Sequence, residues 1–128
     1  MMNPLLLPYV LNILILVPIA PLTLWGGASG GRRAFQGKFV ESEGIRTILG
    51  SLWTAVLIGS FLGLAFPVQM SPLLILQVIY KSLWLATFVL PRLLAGRVGE
   101  TPPGITVSFV VIVATYPWVI PWSALFAR

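Results

Sequence analysis

The sequence contains no cysteine, no histidine and no aspartate, and only 9% of its 128 residues are charged. Without Cys and His, it lacks the usual ligands of zinc and haem, and it can form neither a disulfide nor a Ser-His-Asp or Cys-His catalytic arrangement. The only carboxylate side chains are Glu41, Glu43 and Glu100. We therefore expect no cofactor and no bound metal. We also expect no enzymatic activity, since an enzyme acting on lipid would have only these three carboxylates as acid–base groups.

What the sequence has in abundance is apolar side chains. Hydrophobic residues make up 58% of the chain, and the mean hydropathy is +0.99. A soluble domain carries roughly 25% charged residues, so most of this surface cannot face water. The composition therefore predicts a single-domain integral membrane protein.

Four apolar stretches are long enough to cross a hydrocarbon core of about 30 Å, which takes about 20 helical residues. These stretches are residues 5–25, 47–68, 72–91 and 105–126. The alternating segments of about 10 residues that are typical of membrane strands are absent. We predict an all-α bundle of four transmembrane helices in one domain, residues 1–128, with longer loops at 26–46 and 92–104.

The distribution of basic residues predicts how the bundle is oriented. The opposite face of the bundle has only Arg128, whereas the two longer loops hold six basic residues: Arg32, Arg33, Lys38, Arg46, Arg92 and Arg97. Because Lys and Arg accumulate on the cytoplasmic side, we place both loops in the cytoplasm and both termini outside, in a bacterial-type inner membrane. A cleaved signal peptide fits the first stretch less well, since no basic residue precedes Leu5 and the apolar run exceeds about 15 residues.

The first loop is glycine-rich and basic. Its run from Gly26 to Gly31 lacks the Gly-Lys-Ser/Thr ending of a phosphate-binding loop, so we interpret it as a flexible exit from the membrane. We expect anionic lipid headgroups to contact Arg32, Arg33 and Lys38, and we expect no nucleic-acid partner. Phe35 and Phe39 suggest a short interfacial helix beside these cations, and Ser42 is placed to cap the helix that follows.

Small residues recur every four positions in the second stretch, which predicts a close helix–helix contact. The row consists of Ser51, Ala55, Gly59 and Gly63. Whether the contact lies within one chain or between copies is left open by the sequence.

The third stretch contains a lysine about ten residues from either end, too deep for its side chain to reach either surface. A lysine at this depth costs about 3 kcal/mol on insertion. At 100° per residue it shares a face with polar and aromatic neighbours, and we predict that this face contacts solute or a partner: Gln77, Tyr80, Lys81 and Trp84. Four states of the amino group are possible. It is neutral, it is held by carbonyls and aromatic rings, it lines a wet cavity that attracts an anion, or it pairs with an acid on another subunit.

Two functions fit these features. The first is a non-enzymatic oligomeric pore or carrier for a small polar or anionic solute, with the Lys81 face lining the path. Pro117 and Pro121 would shape its outer end, or would merely bend and end the fourth helix. The second is an accessory or assembly subunit of a larger membrane complex, with Lys81 paired to an acidic residue of a partner. The expected partners are membrane lipids together with either copies of the chain or other membrane subunits.

Overall fold

The fold, taken from a computed structural model that describes residues 3–127, contains helices and no strand in that range. A π-helical turn, Leu85–Val89, joins helix α4 (Pro72–Trp84) to helix α5 (Leu90–Leu94) and makes them one continuous rod, Pro72–Leu94. Turns of 3₁₀ helix occur at Val98–Glu100 and Tyr116–Trp118. The α-helices are α1 (Leu6–Trp25), α2 (Gly27–Ala34), α3 (Glu43–Ala65), α4 (Pro72–Trp84), α5 (Leu90–Leu94), α6 (Pro103–Thr115) and α7 (Trp122–Leu125).

Three helices are long and apolar enough to cross a membrane: α1, α3 and the rod Pro72–Leu94. The predicted fourth span, residues 105–126, is not confirmed, because the corresponding apolar helix covers only Pro103–Trp118. At 1.5 Å per residue this helix is about 24 Å long, shorter than a hydrocarbon core of about 30 Å. The all-helical class is thus confirmed, three helices are suited to a membrane by length and composition, and the count of four full spans is not confirmed.

Two prolines explain why the fourth helix stops early. Proline donates no backbone hydrogen bond, and its ring crowds the preceding turn of the helix. Accordingly α6 ends at Thr115, one residue before the 3₁₀ turn that contains Pro117. Pro121 then sits at the N-cap of the short α7. Bending and ending the helix is therefore what these two prolines do.

The long helices alternate in direction, so the two longer loops meet at one end of the bundle. There the Gly104 backbone N–H, in the first turn of α6, donates to Gln36 Oε1 over 2.7 Å. At the other end, Tyr9 Oη donates to the Pro67 carbonyl over 2.6 Å. We call the first end the basic end, since it holds α2 and both predicted basic loops. Arg128, counted in the charge bias, lies outside the described residues.

Helices α1 and α3 form the most extensive contact, and glycines allow the close approach. A Cβ on Gly50 would lie 2.7 Å from the Leu24 backbone, and one on Gly63 would collide with the Tyr9 ring. Gly59 is also buried, whereas Ser51 and Ala55 are exposed. A four-residue spacing drifts about 40° per step around a helix, which rotates the predicted row out of the contact at its N-terminal end.

The segment 26–46 is more ordered than the flexible exit expected from its glycines. Residues 27–34 form α2, and the predicted interfacial helix around Phe35 and Phe39 is absent. Instead Phe35 is buried against Trp53, with 5.9 Å between ring centroids. Ser42 caps α3 as predicted, accepting from the Ile45 N–H. The segment therefore covers the end of the bundle with an apolar contact.

Candidate solute-binding cavity

The amino group of Lys81 lies inside the bundle. The residue is 4% exposed, and Nζ donates to Gln77 Oε1 over 3.1 Å, one helical turn earlier. Two aromatic rings flank Nζ, with 4.8 Å to the Phe109 centroid and 5.5 Å to the Tyr80 centroid. Such distances are typical of cation–π contacts. Of the four states considered for Lys81, this geometry has features of two. Aromatic rings hold the amino group, and Lys81 also lines a cavity.

The polar groups around Lys81 have more donors than acceptors. An ammonium carries three N–H donors, and within residues 3–127 the only acceptor bonded to Nζ is Gln77 Oε1. Gln77 is 0% exposed, and its Nε2 group has no hydrogen-bond partner in the described part of the chain. The Tyr80 hydroxyl is likewise buried without a partner there. Because buried polar groups are normally satisfied, these donors mark a place where an acceptor is missing.

A cavity of about 270 Å³ borders Lys81. It lies between the pair α1–α3 and the pair α4–α6, and it runs from the basic end toward the middle of the bundle. From Gly104 to Ile112 it follows nine residues of α6, a rise of about 12 Å. We call it the Lys81 cavity; its lining is Ile15, Leu16, Ile19, Arg33, Ala34, Gln36, Trp53, Lys81, Gly104, Ile105, Ser108, Phe109 and Ile112.

The charges around this cavity are all positive. Arg33 stands at the mouth and Lys81 borders the cavity deeper in the bundle, while no carboxylate of residues 3–127 lines it. Glu41 is paired with Arg46 at 2.9 Å, and Glu100 is paired with Arg97 at 2.6 Å, both outside the cavity. Between the two cations the walls are mostly aliphatic and aromatic. The cavity therefore has mostly apolar walls, and its charged lining residues are both basic.

Beyond Lys81 the bundle is closed. The Asn12 amide donates to Ser60 Oγ over 3.0 Å, which links α1 to α3. The Tyr116 hydroxyl hydrogen-bonds to Asn12 Oδ1 and to the Pro8 carbonyl, the latter over 2.9 Å, and links the end of α6 to α1. A cluster of buried residues surrounds these bonds: Leu5, Tyr9, Leu74, Ile112, Tyr116 and Ile120. The Lys81 cavity is consequently open toward the basic end and blind at the other.

Of the four residues predicted to contact solute or a partner, only Lys81 lines the cavity. Gln77 bonds to Lys81 from behind the wall, and the Tyr80 ring flanks its amino group. Trp84 instead stacks on Phe88, at 5.3 Å, and packs edge-on against Phe109. The π-helical turn starts directly after Trp84, so positions beyond it no longer follow the 100° spacing assumed from the sequence. Whether the four residues contact solute stays a prediction.

Several lining residues were not identified from the sequence. Phe109 and Ser108 come from α6, whose side chains are apolar on nearly every face, so periodicity could not show which face is buried. Arg33 was assigned to lipid headgroups together with Arg32 and Lys38. All three are exposed at the basic end, and Arg33 additionally borders the mouth of the cavity.

Comparison with known protein families, with curated proteins and with solved structures finds no match for this chain. Its function is therefore argued from the geometry of the bundle.

Proposed function

We propose that this chain is a non-enzymatic membrane carrier that binds a small anionic solute in the Lys81 cavity. The observation that carries the proposal is a buried lysine beside a cavity that no carboxylate lines within residues 3–127. Ionisable groups inside a membrane are expensive and are usually kept for ligands, ions or partners. An anion in the cavity would supply a further acceptor for the Lys81 ammonium, whose one protein acceptor within residues 3–127 is Gln77 Oε1.

The blind end favours a carrier over an open pore. An open pore needs a continuous polar path, whereas here the bonds among Asn12, Ser60 and Tyr116 close the bundle beyond Lys81. A carrier exposes its site to one side at a time, with the site near the middle of the membrane. On the orientation predicted from the charge bias, the mouth at Arg33 would face the cytoplasm of an inner-membrane protein.

The accessory-subunit hypothesis requires an acidic residue of a partner to reach Lys81. That lysine is 4% exposed, and its amino group lies between Gln77 and the Phe109 ring, inside the chain. A partner's carboxylate could approach only through the Lys81 cavity. Burial therefore favours a small diffusible anion over a docked protein, and copies of this chain, lipids or other subunits would contact the outer apolar surface.

The proposal is tested by anion uptake into liposomes that contain the purified protein, with chloride, formate and benzoate as probes. Lys81→Met keeps the length of the side chain and removes its charge, so we expect uptake of the transported probe to fall at least tenfold. The matched control is Lys38→Met, because the chain has two lysines and Lys38 is exposed outside the cavity. Circular dichroism and a monodisperse elution profile would show that both variants fold.

Equal uptake by wild type and Lys81→Met for every probe would contradict the carrier proposal. The mass of the complex gently extracted from its own membrane separates the two functions further. Multiples of 13.9 kDa alone agree with a carrier of one chain type. Stoichiometric foreign subunits that are lost in Lys81→Met would support the accessory-subunit hypothesis instead.

A further inference from the structure

We propose that the ligand of the Lys81 cavity is a short monocarboxylate with an apolar body, of the size of hexanoate or benzoate. This inference rests on the proposed function and narrows it, from small anions in general to one chemical class. Three features of the cavity lead to it: the unpartnered donors around Lys81, the apolar walls and the volume.

The donors select an oxyanion head group. Gln77, Tyr80 and Lys81 are separated by three and four positions, so they lie on one face of α4. Nζ has a single protein acceptor, and the buried Gln77 Nε2 and Tyr80 hydroxyl have none within residues 3–127. A carboxylate offers about four lone-pair sites on two oxygens. It can therefore accept from Nζ, the donor of this group that borders the cavity, through either oxygen.

The walls select an apolar body. Eight lining residues are aliphatic or aromatic in the part of the chain described: Ile15, Leu16, Ile19, Ala34, Trp53, Ile105, Phe109 and Ile112. A strongly hydrated ion such as chloride or phosphate would leave these walls in contact with water or lose its own hydration. An alkyl chain or phenyl ring attached to the carboxylate would cover them and gain about 25 cal/mol for each Å² of apolar surface removed from water.

The volume limits the length of the ligand. A cavity of about 270 Å³ holds about nine groups of the size of water, at about 30 Å³ each. Hexanoate has eight non-hydrogen atoms and benzoate has nine, so either would fill the space. Because the bonds among Asn12, Ser60 and Tyr116 close the far end, a longer chain could extend only back through the mouth. A monocarboxylate could come from the water as a short soluble acid or from the membrane as a fatty acid. The blind end of the cavity favours the short soluble acid.

The test is calorimetric titration of the detergent-solubilised protein with acetate, hexanoate, benzoate, hexadecanoate and the neutral hexanamide. Each buried methylene contributes about 0.8 kcal/mol, or about fourfold in affinity. Since hexanoate has four more methylenes than acetate, we expect it to bind about two hundredfold more tightly, and we expect hexadecanoate to bind no more tightly than hexanoate. Hexanamide should not bind. Lys38→Met at the same micelle concentration controls for partitioning of the ligand into detergent.

Two variants separate the charge from the shape of the site. Lys81→Met should abolish binding of hexanoate and benzoate. Ser108 lines the cavity, so Ser108→Phe adds a ring there and leaves Lys81 in place. The Ser108 hydroxyl donates only to the Gly104 carbonyl of its own helix, so the change breaks no hydrogen bond between helices. It should weaken hexanoate binding at least thirtyfold and weaken acetate binding less, because acetate has no apolar body to be displaced.

The outcomes distinguish this inference from the proposed function. Tighter binding of acetate than of hexanoate, lost in Lys81→Met, would overturn the monocarboxylate assignment and leave an anion carrier. A steady gain in affinity up to hexadecanoate would overturn the closed short site and identify a membrane fatty acid as the ligand. Equal hexanoate binding by wild type and Lys81→Met would overturn both proposals. No binding by any probe would overturn the monocarboxylate assignment, and the chloride uptake assay would then decide the carrier proposal.

Discussion

The contact between α1 and α3 depends on the absence of a side chain at Gly63, which makes Gly63→Ala the sharpest test of the packing. A Cβ at this position would lie 2.7 Å from Tyr9 Cζ and closer still to two other ring atoms. The ring cannot simply move away. Tyr9 is 0% exposed, and its hydroxyl is anchored to the Pro67 carbonyl at 2.6 Å.

The magnitude follows from three contributions. Forcing a methyl group into a packed contact costs about 1–3 kcal/mol. If the ring shifts, it loses the hydrogen bond to Pro67, worth about 1 kcal/mol. Replacing glycine by alanine inside a helix returns about 1 kcal/mol. We therefore expect Gly63→Ala to lower the free energy of unfolding by about 1–3 kcal/mol.

The assay is reversible unfolding by sodium dodecyl sulfate in mixed micelles, followed by the helical circular dichroism signal. The matched control is Gly44→Ala in the first turn of α3, where an added Cβ would meet no atom within 4 Å. That variant should be unchanged or up to about 1 kcal/mol more stable. Combining Gly63→Ala with Tyr9→Ala should cost less than the sum of the single changes, because the two residues touch. If Gly63→Ala proved as stable as Gly44→Ala, the packing of α1 on α3 described here would be wrong.

Two further predictions concern the two ends of the bundle. At the closed end, Tyr116→Phe removes the donor to Asn12 and Pro8. Since such bonds between membrane helices contribute about 0.6–1.7 kcal/mol, the same unfolding assay should show a loss of that size, whereas Thr115→Val, whose hydroxyl bonds only its own helix, should show little change. At the basic end, the hydrogen bond from Arg97 holds the pKa of Glu100 below its ordinary value of 4.5. A carboxyl with a lowered pKa stays charged, and keeps its ion pair, until the pH falls through that lowered pKa. An NMR titration should therefore find the pKa of Glu100 below 4.5. An unchanged Glu100 titration in Arg97→Gln would contradict Arg97 as the cause.

Composition and the length of the apolar stretches were enough to indicate a helical membrane protein. With 58% hydrophobic and 9% charged residues, only a lipid environment satisfies the surface, and helices satisfy their own backbone hydrogen bonds within one segment. These are local properties, so a window of about 20 residues suffices to locate α1, α3 and the rod Pro72–Leu94. The same local reasoning identified Ser42 as a cap and Lys81 as the unusual residue.

Two other features could have been predicted from the positions of prolines in the sequence, but only by allowing for irregular helix geometry. The shorter fourth helix follows from Pro117, which donates no backbone N–H and crowds the turn before it. The π-helical turn Leu85–Val89 ends two residues before Pro91, which has the same two effects on the turn that precedes it. A face drawn at a constant 100° per residue holds as far as Trp84, the last residue of α4, and does not allow for the irregular turns that follow.

What only the tertiary structure decided is how the helices meet. Phe109, Arg33 and Ile15 are far from Lys81 in the chain, yet all of them line its cavity. Helix α6 is apolar nearly all round, so its buried face is selected by packing against α4 and not by its own pattern. The blind end likewise arises from bonds such as Tyr116 to Asn12, between helices more than a hundred residues apart in sequence. Pattern specifies each helix because its hydrogen bonds are internal, whereas a cavity is the space left between helices and exists only once they are packed together.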